Sequence, residues 1–181
     1  MSLHSKWANI KRKKAVLDSK RADNWNKILR QLVVAARVGG GDVNSNPNLR
    51  LVVDKAKEAR MPKENIEKAI KRGTGELEGL SYEEAIYEGF GPDGGALLIQ
   101  CLTDNKNRTV AELRTLLSKN GGSLGTVGST AYIFGDNYEN PIFKVKLTSK
   151  DNEMALDKIL EALDENEDVQ EVFTNYEEEG L

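Results

Sequence analysis

Trp25, Ile28, Leu29, Leu32, Val33 and Ala36 recur at i, i+3, i+4, i+7, i+8 and i+11, which is one face of an α-helix. The stripe predicts a helix over about 19–38. Gly39-Gly40-Gly41 stops it, because glycine is costly inside a helix and takes the left-handed C-cap readily. Asn46-Pro47 reads as an N-cap followed by proline at the first helical position. Leu49, Val52, Val53 and Ala56 carry a second stripe to about residue 60, where Met61-Pro62 breaks the chain. Ile66, Ala69 and Ile70 mark a third helix, with Glu64–Lys68 and Glu67–Lys71 at i, i+4 on its outer face in the favourable orientation. Gly73 and Gly75 end it. Short connections make this a three-helix domain over 18–73.

Residues 74–81 form a linker. Beyond it the pattern alternates strand and helix. Residues 84–90 suit a strand, closed by the turn-rich Gly91-Pro92-Asp93-Gly94-Gly95. Residues 96–102 are a short apolar run between turn signals, a buried strand. Val110, Leu113, Leu116 and Leu117 predict a helix over about 108–119, ended by Gly121-Gly122. Strands are expected at 129–134 and 142–147, separated by the turn residues Gly135 to Pro141. Ala155, Leu156, Ile159, Leu160 and Leu163 predict a helix over about 152–164, and 169–176 is a last strand. From residue 96 the order is β-α-β-β-α-β, the ferredoxin-like order, preceded by one extra strand. The expected class is α+β: a basic arm over 1–17, three helices, and a ferredoxin-like domain over 82–181.

At 181 residues, 39% hydrophobic and 30% charged, the chain suits one or two folded domains rather than a disordered segment. No apolar run approaches the roughly 18–20 residues that span a membrane, so no membrane partner is expected. The first residues lack the apolar stretch of a secretory signal. They fit a mitochondrial presequence loosely, but Lys outnumbers Arg there, and the cytoplasm is the expected compartment. Cys101 is the only cysteine, which excludes an intrachain disulfide and suits a reducing compartment.

The same residue counts argue against catalysis. His4 is the one histidine, and in an extended arm it is a poor base, because a nucleophile–base pair needs a rigidly held imidazole. Cys101 lies inside an apolar strand and is better explained as a small buried hydrophobe than as a nucleophile. No Cys or His residues cluster with zinc-ligand spacing. The acidic run Asp164-Glu165-Asn166-Glu167-Asp168 lacks the spacing of an oxygen-ligand loop and reads as a solvated face. Gly121 to Gly128 follows a helix, precedes a strand and contains no lysine, so it fails as a phosphate loop and reads as structural. No catalytic residue, metal site or cofactor is expected.

Charge changes the picture most. Residues 1–73 hold 18 Lys+Arg against 7 Asp+Glu, a net of +11, leaving 8 against 22 in residues 74–181, a net of −14. Such asymmetry points to polyanion binding by the first half. Lys6, Lys11, Arg12, Lys13, Lys14, Lys20 and Arg21 crowd the arm and the first helical turn, with Lys71 and Arg72 at the end of the third helix. If about 6–8 cations touch phosphates, log K falls against log salt with a slope of roughly −5 to −7 on duplex DNA. Trp7 lies among these charges. It can stack on an exposed base or anchor the arm by burying its ring, and the sequence leaves both open. Charge does not separate DNA from RNA. The acidic half, lacking the aromatic and basic pattern of an RNA recognition motif, suits a protein partner, a ligand-sensing role or a scaffold. A monomer is expected.

Several blocks carry a resemblance. They are His4-Ser5-Lys6-Trp7-Ala8-Asn9-Ile10-Lys11, Ala35 to Asp42, Met61 to Glu67, Ala69-Ile70-Lys71-Arg72-Gly73-Thr74-Gly75, Tyr87 to Pro92, Leu102-Thr103-Asp104-Asn105 with Asn107-Arg108-Thr109, Gly121 to Thr126, and Asp168 to Asn175. With them the chain resembles the YebC/PmpR family, which includes the mitochondrial translational activator of cytochrome c oxidase subunit I. The resemblance implies a non-enzymatic regulator of gene expression: DNA-binding transcriptional regulators in some members, ribosome- or rRNA-associated translation factors in others. It implies nucleic-acid contacts at the basic residues between His4 and Lys14 and at Lys71-Arg72. Two departures stand out. Leu3 occupies a position where the family usually has glycine. The family also inserts a further domain between the middle strands, where this chain has only the turn from Gly135 to Pro141.

Overall fold

In the computed structural model the described residues are 21–177, with side chains from Asn24 onward. They divide into two compact units: residues 21–84 with 102–104, and residues 85–101 with 105–177.

The helical unit contains α1 (Arg21–Gly39), α2 (Pro47–Glu58) and α3 (Lys63–Gly73). The apolar stripes meet as expected: Ile28, Leu32, Val33 and Ala36 pack with Leu49, Val53 and Ala56 and with Ile66 and Ala69. The stop after α1 is built by Asn46. Its side-chain amide donates to the carbonyls of Ala35 (2.9 Å) and Gly40 (2.8 Å), and its Oδ1 accepts the amide of Leu49 (3.1 Å). One buried side chain therefore ends α1 and caps α2, satisfying carbonyls and an amide that helix ends leave orphaned. Gly73 does more than end α3. A Cβ there would stand 2.4 Å from the Val33 carbonyl oxygen and 2.7 Å from the Ala36 Cβ, so α1 and α3 cross backbone to backbone at this glycine.

The second unit contains β1 (Glu83–Phe90, whose first two residues fall in the helical unit), β2 (Ala96–Thr103), α4 (Lys106–Lys119), β3 (Ser123–Leu124), α5 (Ala131–Phe134), α6 (Lys150–Glu165) and β4 (Val169–Thr174). The sheet order is β3-β1-β2-β4. β3 runs antiparallel to β1 and β4 antiparallel to β2, with Leu98 opposite Phe173 and Ile99 opposite Val172. β2 is buried on both faces. Leu97, Ile99 and Cys101 pack under α4 and α6 with Leu113, Leu117, Leu156 and Ile159, while Ala96 and Leu98 face Ile133 and Phe134. That burial explains the near-continuous apolar run, interrupted only by the half-buried Gln100, which alternation alone would not require. Cys101 is a buried thiol in this core.

The α+β class and the extra strand β1 are as expected. Two middle strands are not. Residues 131–134 form the helix α5 instead of a strand. The amides of Thr130 and Ala131 both donate to the Glu88 carboxylate, an arrangement of successive N–H groups on one anion that suits a helix start and not a ladder. Consecutive Ile133 and Phe134 are both buried, which a strand covered on one face cannot achieve. Residues 142–147 alternate Val145 and Leu147 inward with Lys144 and Lys146 outward, yet make only an isolated parallel bridge, Val145 to Tyr176. Part of the glycine-rich loop, Ser123-Leu124, is the edge strand β3. The turn after α5 is used in packing: Tyr138 meets Phe173 edge-on at 5.3 Å, closing the second face of the sheet.

Candidate nucleic-acid interface

His4, Lys6, Trp7, Lys11, Arg12, Lys13, Lys14 and Lys20 lie outside the described residues. Arg21 is in α1, and its side chain is not described. Lys71 and Arg72 occupy the last turn of α3 and are exposed. Lys57, Arg60 and Lys68 are exposed on the same unit. Arg60 closes α2 in the left-handed region, φ 57°. Lys63 pairs with Glu67 at 3.6 Å, an exposed contact worth a few tenths of a kcal/mol.

Other predicted features resolve into structure. Trp25 donates its indole N–H to the carbonyl of Ala59 at 2.9 Å, so it holds the end of α2 as well as filling the core. Arg30 is buried with its guanidinium 4.9 Å from the Tyr82 ring centroid, within cation–π range. Arg37 was outside the sequence-predicted set. It is exposed in the last turn of α1 and donates to the Ser81 hydroxyl at 2.9 Å.

Three carboxylates in the second unit carry the loops. The acidic run that reads in sequence as a solvated face ends in one of them, Asp168, which is buried because Arg108 and Thr109 donate to it. Glu88 accepts from the amides of Gly128 (2.9 Å), Thr130 (2.7 Å) and Ala131 (3.3 Å) and from the hydroxyl of Ser129 (3.3 Å). Burial pushes its pKa up, but the converging donors outweigh burial and hold it below the ordinary carboxylate range. Asp168 is buried and accepts from Arg108 at 3.0 and 3.1 Å and from Thr109 at 2.8 Å. Asp93 accepts from the Thr148 amide and hydroxyl, both at 2.8 Å, and from Asn152 at 2.9 Å; the Thr148 amide chiefly lowers its pKa. Each carboxylate is spent on the protein's own donors, so these are fastenings. Buried Tyr176 donates to the Pro92 carbonyl at 2.7 Å, and burial raises its phenol pKa. Among the described residues no cluster of three or more His, Cys, Asp or Glu could hold a metal ion. No described helix is long and apolar enough to cross a membrane.

Fold and site together define a two-unit α+β protein with exposed cations on its helices and carboxylate-fastened loops on its sheet. Comparison with known proteins gives this class a family. The TACO1/YebC protein N-terminal domain matches residues 5–76, and the TACO1/YebC second and third domain matches residues 82–139. The chain belongs to the TACO1/YebC family. It is 52% identical over 162 residues to a "probable transcriptional regulatory protein" of Persephonella marina, covering 90% of this chain and 64% of the relative. A relative of the same description in Pseudothermotoga lettingae is 60% identical over 134 residues, 74% of this chain and 53% of its own. The chain thus spans between about half and two thirds of the curated relatives it matches. The crystal structure of a conserved hypothetical protein from Aquifex aeolicus aligns with a TM-score of 0.82 at 32% identity, over 88% of this chain and 91% of that one.

Proposed function

We propose that this protein is a non-enzymatic regulator of gene expression that binds nucleic acid through its basic first half. The carrying observation is the net of +11 over residues 1–73, with Lys71 and Arg72 exposed at the end of α3. Counterion release makes such a charge effective on a phosphate backbone. The names of the relatives support transcription as the process regulated. In this reading the arm residues Lys6, Lys11, Arg12, Lys13 and Lys14, followed by Lys20 and Arg21, contact phosphates, and Trp7 stacks or anchors. The acidic unit serves as scaffold or protein-facing surface, and the protein works in the cytoplasm.

The test is a binding titration of the full chain against labelled duplex DNA and labelled RNA at several salt concentrations. Affinity should fall with salt, with a log–log slope of roughly −5 to −7 on duplex DNA. Binding that does not weaken as salt rises overturns the reading. Fractionation of lysate at low and high salt then separates the processes. Retention on promoter over random DNA supports transcription, and salt-sensitive co-sedimentation with ribosomes supports translation.

A further inference from the structure

Residues 74–84 contain Glu76, Glu78, Glu83 and Glu84 and no Lys or Arg, and they belong to the helical unit. Residues 21–73 hold 12 Lys+Arg against 6 Asp+Glu, a net of +6; the four acids lower it to +2. The segment after α3 therefore offsets most of the charge that its own unit presents. Its path is specific. The close approach at Gly73, whose Cβ would stand 3.2 Å from the Arg37 amide nitrogen, brings the last turns of α1 and α3 together. Arg37 and Arg72 are thereby neighbours. Arg37 donates to the Ser81 hydroxyl at 2.9 Å. Arg72 lies over Gly79, where a Cβ would stand 2.9 Å from its Cδ and 3.2 Å from its Nε. The Lys71 carbonyl accepts the amides of Glu76 (2.9 Å) and Leu77 (3.1 Å), and Thr74 donates to the Glu76 carboxylate at 3.2 Å.

Apolar burial does not hold this segment, since Leu77 is 41% and Leu80 is 60% exposed. Its fastenings are exposed polar contacts, each of small net value because water competes for both partners. A serine hydroxyl is a single neutral acceptor, whereas a guanidinium fork matches two oxygens of a phosphate. The two converging helix C-termini contribute about half a negative charge each, fewer than the three full charges of Arg37, Lys71 and Arg72. An anion at this crossing is therefore favoured once the segment leaves.

The geometry points to a phosphodiester site for which residues 74–81 compete. Arg37, Lys71 and Arg72 take backbone phosphate of a nucleic acid. In the free chain the three side chains are exposed, and residues 74–81 compete with phosphate for them: the Ser81 hydroxyl accepts from Arg37, Arg72 lies against Gly79, and Glu76 and Glu78 add negative charge to the same segment. This rests on the nucleic-acid reading above for the identity of the ligand. The two halves of the site then respond to substitution in opposite directions, which a merely structural role would not produce.

The test uses the full chain, labelled duplex DNA and RNA, and hydrogen exchange at the Glu76 and Leu77 amides. Arg37→Gln and Arg72→Gln should each weaken binding about tenfold and reduce the salt slope by about one. Ser81→Ala combined with Glu76→Gln and Glu78→Gln should strengthen binding several-fold. Nucleic acid should speed exchange at the two amides. Arginine variants that keep the wild-type slope, or segment variants that weaken binding, overturn the proposal while leaving the broader reading intact. If the wild-type chain binds no nucleic acid, the broader reading fails, and inorganic sulfate becomes the probe. Faster amide exchange with sulfate, lost in Arg37→Gln, retains the site, and unchanged exchange removes it.

Discussion

Glu88 is 7% exposed and surrounded by donors from residues 128–131. Glu88→Gln would turn an amide N–H toward those donors and leave some unsatisfied, a cost of about 1–3 kcal/mol at neutral pH. The sign of the pH dependence follows from the lowered pKa. Ionised Glu88 stabilises the fold fully above the ordinary value of 4.5, and that contribution is lost as pH falls through the lower folded value. Thermal melts from pH 7 to pH 3 should therefore show wild type more stable than the variant at neutral pH, with the gap closing below about pH 4.5. A gap that stays constant would assign the effect to packing instead of charge. Nothing in the sequence marks Glu88, because its partners lie some forty residues away. Asn46 was legible as an N-cap from Asn-Pro alone, since that role is local. Its two bonds back to α1 were not.

At the scale of elements, helices and β2 were legible because periodicity and length settle them. The misread strand at 129–134 has a tertiary cause. Tyr132, Ile133 and Phe134 are residue types that favour a strand, but a tertiary partner, the Glu88 carboxylate, gathers the amides of Gly128, Thr130 and Ala131 that a ladder would need. Gly73 shows the same limit from the other side. Sequence marks it as a stop, and the structure gives it the α1–α3 crossing. Two substitutions separate these roles. Gly73→Ala should cost about 1–3 kcal/mol, because the Val33 backbone must move to admit a methyl group. Gly40→Ala meets nothing within 4 Å but keeps a φ of +86°, so it should cost about 1 kcal/mol through backbone strain alone. Urea unfolding of both variants checks the order. A Gly40 variant less stable than the Gly73 variant would mean that the helices separate without penalty.

For the whole molecule, the charge split is visible in the sequence, but its distribution among folded units is not. The change of sign falls after residue 73, while the helical unit extends to residue 84 and takes four acids with it. Residues 21–84 therefore carry a net of only +2. Residues 1–20 carry Lys6, Lys11, Arg12, Lys13, Lys14 and Lys20 against Asp18, a net of +5. If phosphate binding follows net charge, most of the salt dependence belongs to the arm, and the helices contribute less because the acids of residues 74–84 offset their charge. Deleting residues 1–17 removes five of the arm's cations. It should reduce the salt slope on duplex DNA by about 4–5 and leave a remainder that Arg37→Gln and Arg72→Gln reduce further. Titrations of the truncated and full chains over a salt series measure both quantities. A truncated chain that keeps the full slope would move the interface onto the helices and give the arm no part in phosphate binding.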